Sequence, residues 1–369
     1  MTLEGSAKSR LIRSGISISL GLILAALLIQ ISGYNAIEAF SALWIGATGL
    51  QSGGASSPTE VALGAGHLNL FLLAQSLARM TPLLFCGLAV ALALRAGLFN
   101  IGAQGQMVVG ALAGAAVGLA PISLPPALHV TLALAGGAAA GALWGVIPGI
   151  LKAWRGVHEV LSTIMLNFIG LNLVAYLVSH NLKDPNSQSL QTSQIAKSAW
   201  LEPLVAHSNL TIGLFIAVLF ALALPFFLSR TPLGFQIRAV GLNPEAAKAA
   251  GISVEKTIAI TMALSGALAG LAGAIEVAGI HHRYVDGVAG SYGFDGIAVA
   301  LLGGAGGGGA ILSAIFFGFL STGSDYMQSL THVPAPVAVV VQAVVILFVG
   351  IKTLRLQNPK PKVKRLPLV

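Results

Sequence analysis

The chain has 369 residues, of which 56% are hydrophobic and 9% charged. A soluble domain carries about 25% charged residues. With a mean hydropathy of +0.86, an ordinary cytosolic enzyme, a secreted disulfide scaffold and a disordered chain are excluded, which leaves an integral membrane protein with several spans. The single cysteine, Cys86, permits neither an intrachain disulfide nor a Cys-rich metal site.

Residues 1–15 form a polar, basic N-terminus with Lys8, Arg10 and Arg13. The apolar run Ile16–Ile31 follows. It exceeds the roughly 7–15 residues of a signal-peptide core, and no small-residue cleavage site follows it cleanly, so it reads as a span. Further apolar blocks lie at 70–94, 105–121, 127–150, 158–179, 210–228, 257–280, 292–303, 308–328 and 334–351. The prediction is an all-α polytopic protein with about ten transmembrane helices over residues 16–351 and a basic tail at 352–369. Two blocks are irregular. The block 292–303 falls short of the ~20 residues of a full span, so it either crosses or re-enters. The block 70–94 contains Arg79, Thr81 and Pro82, which predicts a helix broken before Pro82 and buried in protein.

Charge sets the orientation. With the N-terminus in the cytoplasm, the inside holds Lys8, Arg10, Arg13, Arg95, Lys152, Arg155, Arg230, Arg238, Lys248, Lys256 and six tail residues, sixteen of the twenty Lys and Arg. The outside holds Arg79, Lys183, Lys197 and Arg283. This is the asymmetry of the positive-inside rule, and it places both termini in the cytoplasm. The formal charge of +8 therefore reads as orientation, and no nucleic-acid partner is predicted. Two long stretches fall outside, Ser32–Asn69 and His180–Asn209; each either meets an external partner or merely links spans.

The cytoplasmic loop 229–256 is the most informative. Asn243 is a good N-cap and Pro244 suits the first helical position. Glu245 complements the positive helix end. Gly251 stops a very short Ala-rich helix over Pro244–Ala250. Its small side chains, Ala246, Ala247, Ala249 and Ala250, permit close approach by another surface.

The segment from Arg238 to Ile252 (RAVGLNPEAAKAAGI) resembles the coupling loop of ATP-binding-cassette (ABC) importer permeases of the branched-chain amino acid and simple-sugar class. By that resemblance Arg238, Gly241, Asn243, Glu245, Ala246, Ala247, Ala250 and Gly251 form the loop that docks on a cytoplasmic ATPase. Arg95–Gln106 (RAGLFNIGAQGQ) resembles the RAGLFNIGAEGQ signature of the nucleoside-type permeases of this class. His158–Asn167 (HEVLSTIMLN) and Phe294–Gly303 (FDGIAVALLG) resemble the same group. Gln104 departs from the pattern, standing where Glu is usual. The resemblance implies a nucleoside-importing permease in a prokaryotic plasma membrane. It implies as partners a second, different permease subunit, a cytoplasmic ABC ATPase and an extracytoplasmic binding lipoprotein, besides the lipid bilayer. ATP and Mg belong to the ATPase; this chain is expected to be no enzyme and to bind no cofactor.

Intramembrane polar groups are costly and face a cavity or a partner. Asn100, Gln104 and Gln106 lie in a Gly-punctuated stretch; they either contact a neutral polar solute or cap and bridge helices. Asn167 has the same two readings. Phe99, Phe168 and Phe294 either stack on a base or pack. Asp295 caps its short helix or faces the pathway. Glu159 reads as structural and Glu276 as interfacial. Gly304–Gly309 matches a dinucleotide fingerprint by letter alone, since no βαβ unit surrounds it. No metal site is predicted at His281-His282. Gly141/Gly145 and Gly266/Gly270 have the spacing of close helix packing. The alternatives are a simple-sugar or branched-chain amino acid substrate or, in a different class, an ion-coupled secondary transporter, for which membrane-embedded acids are scarce.

Overall fold

The computed structural model describes residues 19–334, 339–340 and 343–344, without 20, 22, 53–59, 64–65, 122–123, 206 and 305. The N-terminus 1–15 and the tail 352–369 lie outside the described residues, as does most of the predicted last span; most of the predicted first span is described, and residues 23–31 are helical. Leu43–Tyr326 forms one compact unit; the described residues before Leu43 and after Tyr326 belong to another.

Among the described residues, six helices are long and apolar enough to cross a membrane. They are α2 (Leu70–Arg95), α4 (Pro126–Arg155), α5 (Glu159–Leu177, extended by a π turn to Leu182), α6 (Gly213–Arg230), α9 (Val254–Glu276, extended by a π turn to His281) and α11 (Gly307–Thr331). Shorter apolar helices are α1 (Ala36–Thr48), α3 (Ala103–Leu119) and α10 (Tyr292–Gly303). Two polar-loop helices, α7 (Pro232–Leu242) and α8 (Pro244–Ala249), complete the order.

α2 and α9 form the core: 83% and 72% of their most apolar windows are buried, against 22–28% for α4, α5 and α6. The latter therefore present apolar faces such as Leu161, Phe168, Phe215 and Leu219 outward. In a bilayer, helix association relies on close van der Waals packing. α4 and α9 show it as an antiparallel pair. Gly141 of α4 abuts Gly266 and Gly270 of α9, and a Cβ on Gly145 would come within 2.5 Å of the Met262 carbonyl oxygen.

Three expectations are corrected. α2 is one unbroken helix through Pro82, not a broken one. Asn69 starts it, its Oδ1 accepting from Phe71 N–H (3.1 Å) and Leu72 N–H (3.2 Å). Thr81, Pro82 and Leu83 are buried in protein, where a helix proline is tolerated, and the Arg79 charge pairs with Asp325. The stretch Ser32–Asn69 is not a plain linker. It contains α1 and an antiparallel sheet of β1 (Leu50–Ser52), β2 (Glu60–Leu63) and β3 (Gly66–Asn69) in the order β1-β3-β2, so the fold is not purely α. And the loop 229–256 contains two helices rather than one.

α10 is a half-length element. Its 12 residues rise about 18 Å, against ~30 Å of hydrocarbon core. After it the chain turns: Gly303 abuts Gly309, and Gly307 abuts the Ala221 carbonyl, midway along α6. The segment 180–210 crosses the far ends of α3 and α9 through Ala196 N–H to Gly118 O, Ile195 N–H to His282 O and Leu201 N–H to Ala278 O, each 2.9 Å.

Candidate functional site

The Gly-punctuated stretch between α2 and α3 is held by amides. Asn100 Nδ2 donates to Gln106 Oε1 (2.9 Å) and to Ser265 Oγ (2.8 Å). Its Oδ1 accepts from Gly102 N–H (2.8 Å) and Gln106 Nε2 (3.3 Å). Ser265 Oγ in turn donates to Ala89 O (2.6 Å). One network thus ties α2, α3 and α9 together. Asn167 of α5 closes another side, accepting from Gly105 N–H (2.8 Å) and donating to Ile101 O (2.9 Å). All four amides, Asn100, Gln104, Gln106 and Asn167, are buried and engaged within the chain, as buried polar groups must be.

Gln104 faces a different neighbour. Its Nε2 donates to Gly290 O (2.7 Å) and its Oε1 accepts from Gly293 N–H (2.9 Å). It clamps the loop that leads into α10. That loop forms one wall of a polar cavity of about 270 Å³, whose other walls carry Arg79 of α2, Glu276 and His281 at the end of α9, Tyr292 of α10 and Ser321 of α11. Arg79 is fixed by its ion pair with Asp325 and by donation from Nη1 to Ser321 Oγ (2.7 Å). Glu276 is 3% exposed. Its side-chain contact is His281 Nε2 at 3.9 Å, beyond hydrogen-bond reach.

Asp295 accepts from Ser291 Oγ (2.5 Å) in the first turn of α10, where a carboxylate suits the helix dipole. Phe99 is half-buried, and Phe168 and Phe294 are exposed at 59% and 48%; none of the three lines the cavity. Among the described residues Trp200 stacks on His282, with ring centroids 3.8 Å apart, and Tyr176 on His180, at 4.3 Å.

At the opposite end of α9 lies the α7–α8 loop. Thr231 caps α7, its Oγ1 accepting from Gly234 N–H (3.0 Å), and Asn243 caps α8, its Oδ1 accepting from Ala246 N–H (3.1 Å). Each cap is followed by proline at the first helical position. Gly251 ends the unit at φ +82°, a conformation that favours glycine. Asn243, Glu245, Ala246, Ala250 and Gly251 are exposed, Arg238 and Gly241 are partly buried, and Ala247 is turned inward at 4% exposure. Leu242, the last residue of α7, is 88% exposed.

Residues 72–350 match the family described as the branched-chain amino acid transport system permease component. The chain belongs to this permease family. It is 41% identical over 338 residues to the guanosine ABC transporter permease protein NupP of Bacillus subtilis, covering 91% of each chain. It is 35% identical to the nucleoside ABC transporter permease protein NupB of Lactococcus lactis, covering 94% of this chain and 93% of the relative. It is 36% identical to the glucose ABC transporter permease protein TsgB13 of Haloferax volcanii, covering 75% and 76%. The permease is thus a multi-pass membrane protein.

Sequence reasoning passed over three features of the permease. Arg79 and Glu276 are ionisable residues inside apolar runs, a signal by itself, yet one was read as a helix breaker and the other as interfacial. Leu242 is an apolar residue inside the polar loop motif, hidden by the attention its alanines draw.

Proposed function

We propose that the permease is the membrane subunit of an ATP-driven nucleoside importer. The substrate follows the two relatives matched over more than nine tenths of the chain, one named for guanosine and one for nucleosides. One observation carries the coupling: a doubly capped, two-helix loop presents the apolar Leu242 to solvent beside the exposed faces of Asn243, Ala246 and Ala250. The support is its place in a doubly capped loop whose small exposed side chains permit close approach by another surface.

In this reading both termini and the α7–α8 loop are cytoplasmic, in the plasma membrane of a prokaryote. The loop seats on an ABC ATPase, which binds ATP and Mg and supplies the free energy. A binding lipoprotein delivers solute from outside, and a second, different permease completes the pathway. α10 is a re-entrant element, since its turn sits beside the middle of α6. Asn100, Gln104, Gln106 and Asn167 serve the pathway as positioning residues, because their hydrogen bonds are taken up within the chain. Phe99 and Asp295 are assigned to the pathway wall with them.

Binding of radiolabelled guanosine and of ribose to the partner lipoprotein tests the substrate. The reading expects nucleoside to bind and ribose not to compete. Competition by simple sugars alone would favour the sugar reading, which the glucose relative supports.

A further inference from the structure

The polar cavity at the end of α9 brings Arg79, Glu276 and His281 together beside apolar helices, where ionisable groups are costly. We infer that it is where the permease holds its nucleoside: Glu276 accepts from the solute's hydroxyl and ring N–H groups, and Arg79 donates to its ring carbonyl or nitrogen. This rests on the nucleoside reading above.

Four observations converge. The volume of about 270 Å³ approaches the small-molecule range of roughly 300–1,000 Å³. Glu276 is 97% withdrawn from solvent and lines the cavity with no side-chain hydrogen bond among the described residues. A buried carboxylate in that state is costly, and a ligand rich in donors removes the cost. The lining carries the carboxylate of Glu276 and an Arg79 whose charge is already paired with Asp325, so an anionic solute meets an unbalanced carboxylate. A neutral solute with both donors and acceptors can use the two together. Finally, Tyr292 brings an aromatic ring to the same space, of the kind on which bases stack.

The wall is also built to hold still or to move as a unit. Gln104 fixes the loop at Gly290 and Gly293 through both ends of its amide. A carboxylate in its place would lack the donor for Gly290 O. The His281 side chain comes from a π turn, a distortion often found at functional sites. The cavity lies at the end of α9 remote from α8, which in the proposed orientation is the side where delivered solute arrives.

The test uses the complete importer in membranes, with Ser321→Cys in the permease. The native Cys86 is buried, so within the permease chain the introduced thiol is the accessible one, and its alkylation is read on that chain alone. Guanosine with the binding lipoprotein is expected to slow N-ethylmaleimide alkylation several-fold. Glu276→Gln is expected to raise the KM for guanosine uptake about tenfold or more, the loss of a charged hydrogen bond. Alkylation indifferent to guanosine, in a Ser321→Cys importer that still takes it up, overturns the cavity assignment alone. A native importer that moves no nucleoside overturns both readings. Should Ser321→Cys fail to assemble, Ser291→Cys in the opposite wall gives the same measurement.

Discussion

Gly241 and Arg95 meet backbone to backbone: a Cβ on Gly241 would overlap the Arg95 carbonyl oxygen. The last turn of α7 rests on the end of α2 only while position 241 carries no side chain. The two signature segments, Arg95–Gln106 and Arg238–Ile252, are therefore in physical contact. A push on the α7–α8 loop acts on the residues that lead to the Asn100–Gln106–Ser265 network.

Gly241→Ala is accordingly expected to pry α7 from α2. Overpacking of this kind costs about 1–3 kcal/mol. The variant should insert and bind the ATPase, but nucleoside uptake should fall while ATP hydrolysis continues. Uptake and hydrolysis measured together in proteoliposomes check this; unchanged uptake per ATP counts against it.

Leu242→Asp removes the most exposed apolar side chain of the loop. Affinity for the ATPase should fall about tenfold or more, as for a central interface anchor. The melting temperature of the isolated permease should stay put, because a surface change is worth only about ±0.5 kcal/mol. Ala250→Trp should act in the same way from an exposed site. Ala247→Trp should instead lower the melting temperature, since Ala247 faces this chain. Co-purification and thermal unfolding separate the two classes.

Asn100→Ala leaves Gly102 N–H, Gln106 and Ser265 short of partners in a buried network. Each unsatisfied group costs about 1–3 kcal/mol. A marked fall in melting temperature in detergent is expected, with little change for Phe168→Ala on the outer face.

Gln104→Glu keeps the acceptor for Gly293 N–H and loses the donor to Gly290 O. Faster hydrogen exchange across residues 287–293, with reduced uptake, is the expected result. Exchange identical to the native chain would sink the clamp assignment.

His282 lies beyond α9, stacked on Trp200. Burial lowers its pKa, against smaller opposing effects from the Ala278 carbonyl and Glu202. A histidine lowered in the fold binds fewer protons there than in the unfolded chain. Its contribution to stability is thus complete above the ordinary value of about 6.5 and is lost as pH falls below it. Unfolding temperatures at pH 8 and pH 5.5 should differ more for the native chain than for His282→Asn, a residue that tolerates the left-handed backbone at this position (φ 51°).

Much of this was legible beforehand because bilayers enforce simple rules. Long apolar runs marked α4, α5, α6 and α9, and the Asn-Pro cap with its glycine stop marked α8 almost to the residue. Pro82 misled because a proline breaks a helix in water but not one wrapped in protein. The β1–β3 sheet was missed because its strands are short and flanked by Gly- and Ser-rich sequence. α7 was hidden by Gly234 and Gly241, which lower helix propensity yet are needed for contact with α6 and α2. The amides were visible, but their partners were not: Ser265 lies 165 residues from Asn100 and Gly290 lies 186 from Gln104. The cavity joins residues 79, 276 and 321, a proximity that no local pattern encodes.

Transport by the reconstituted importer tests the central claim most directly. Labelled guanosine should accumulate in proteoliposomes only when the permease pair, the ATPase, the binding lipoprotein and ATP are all present, and omission of ATP should abolish it. Accumulation driven by an ion gradient without ATP or ATPase would contradict the account and restore the secondary-transporter reading.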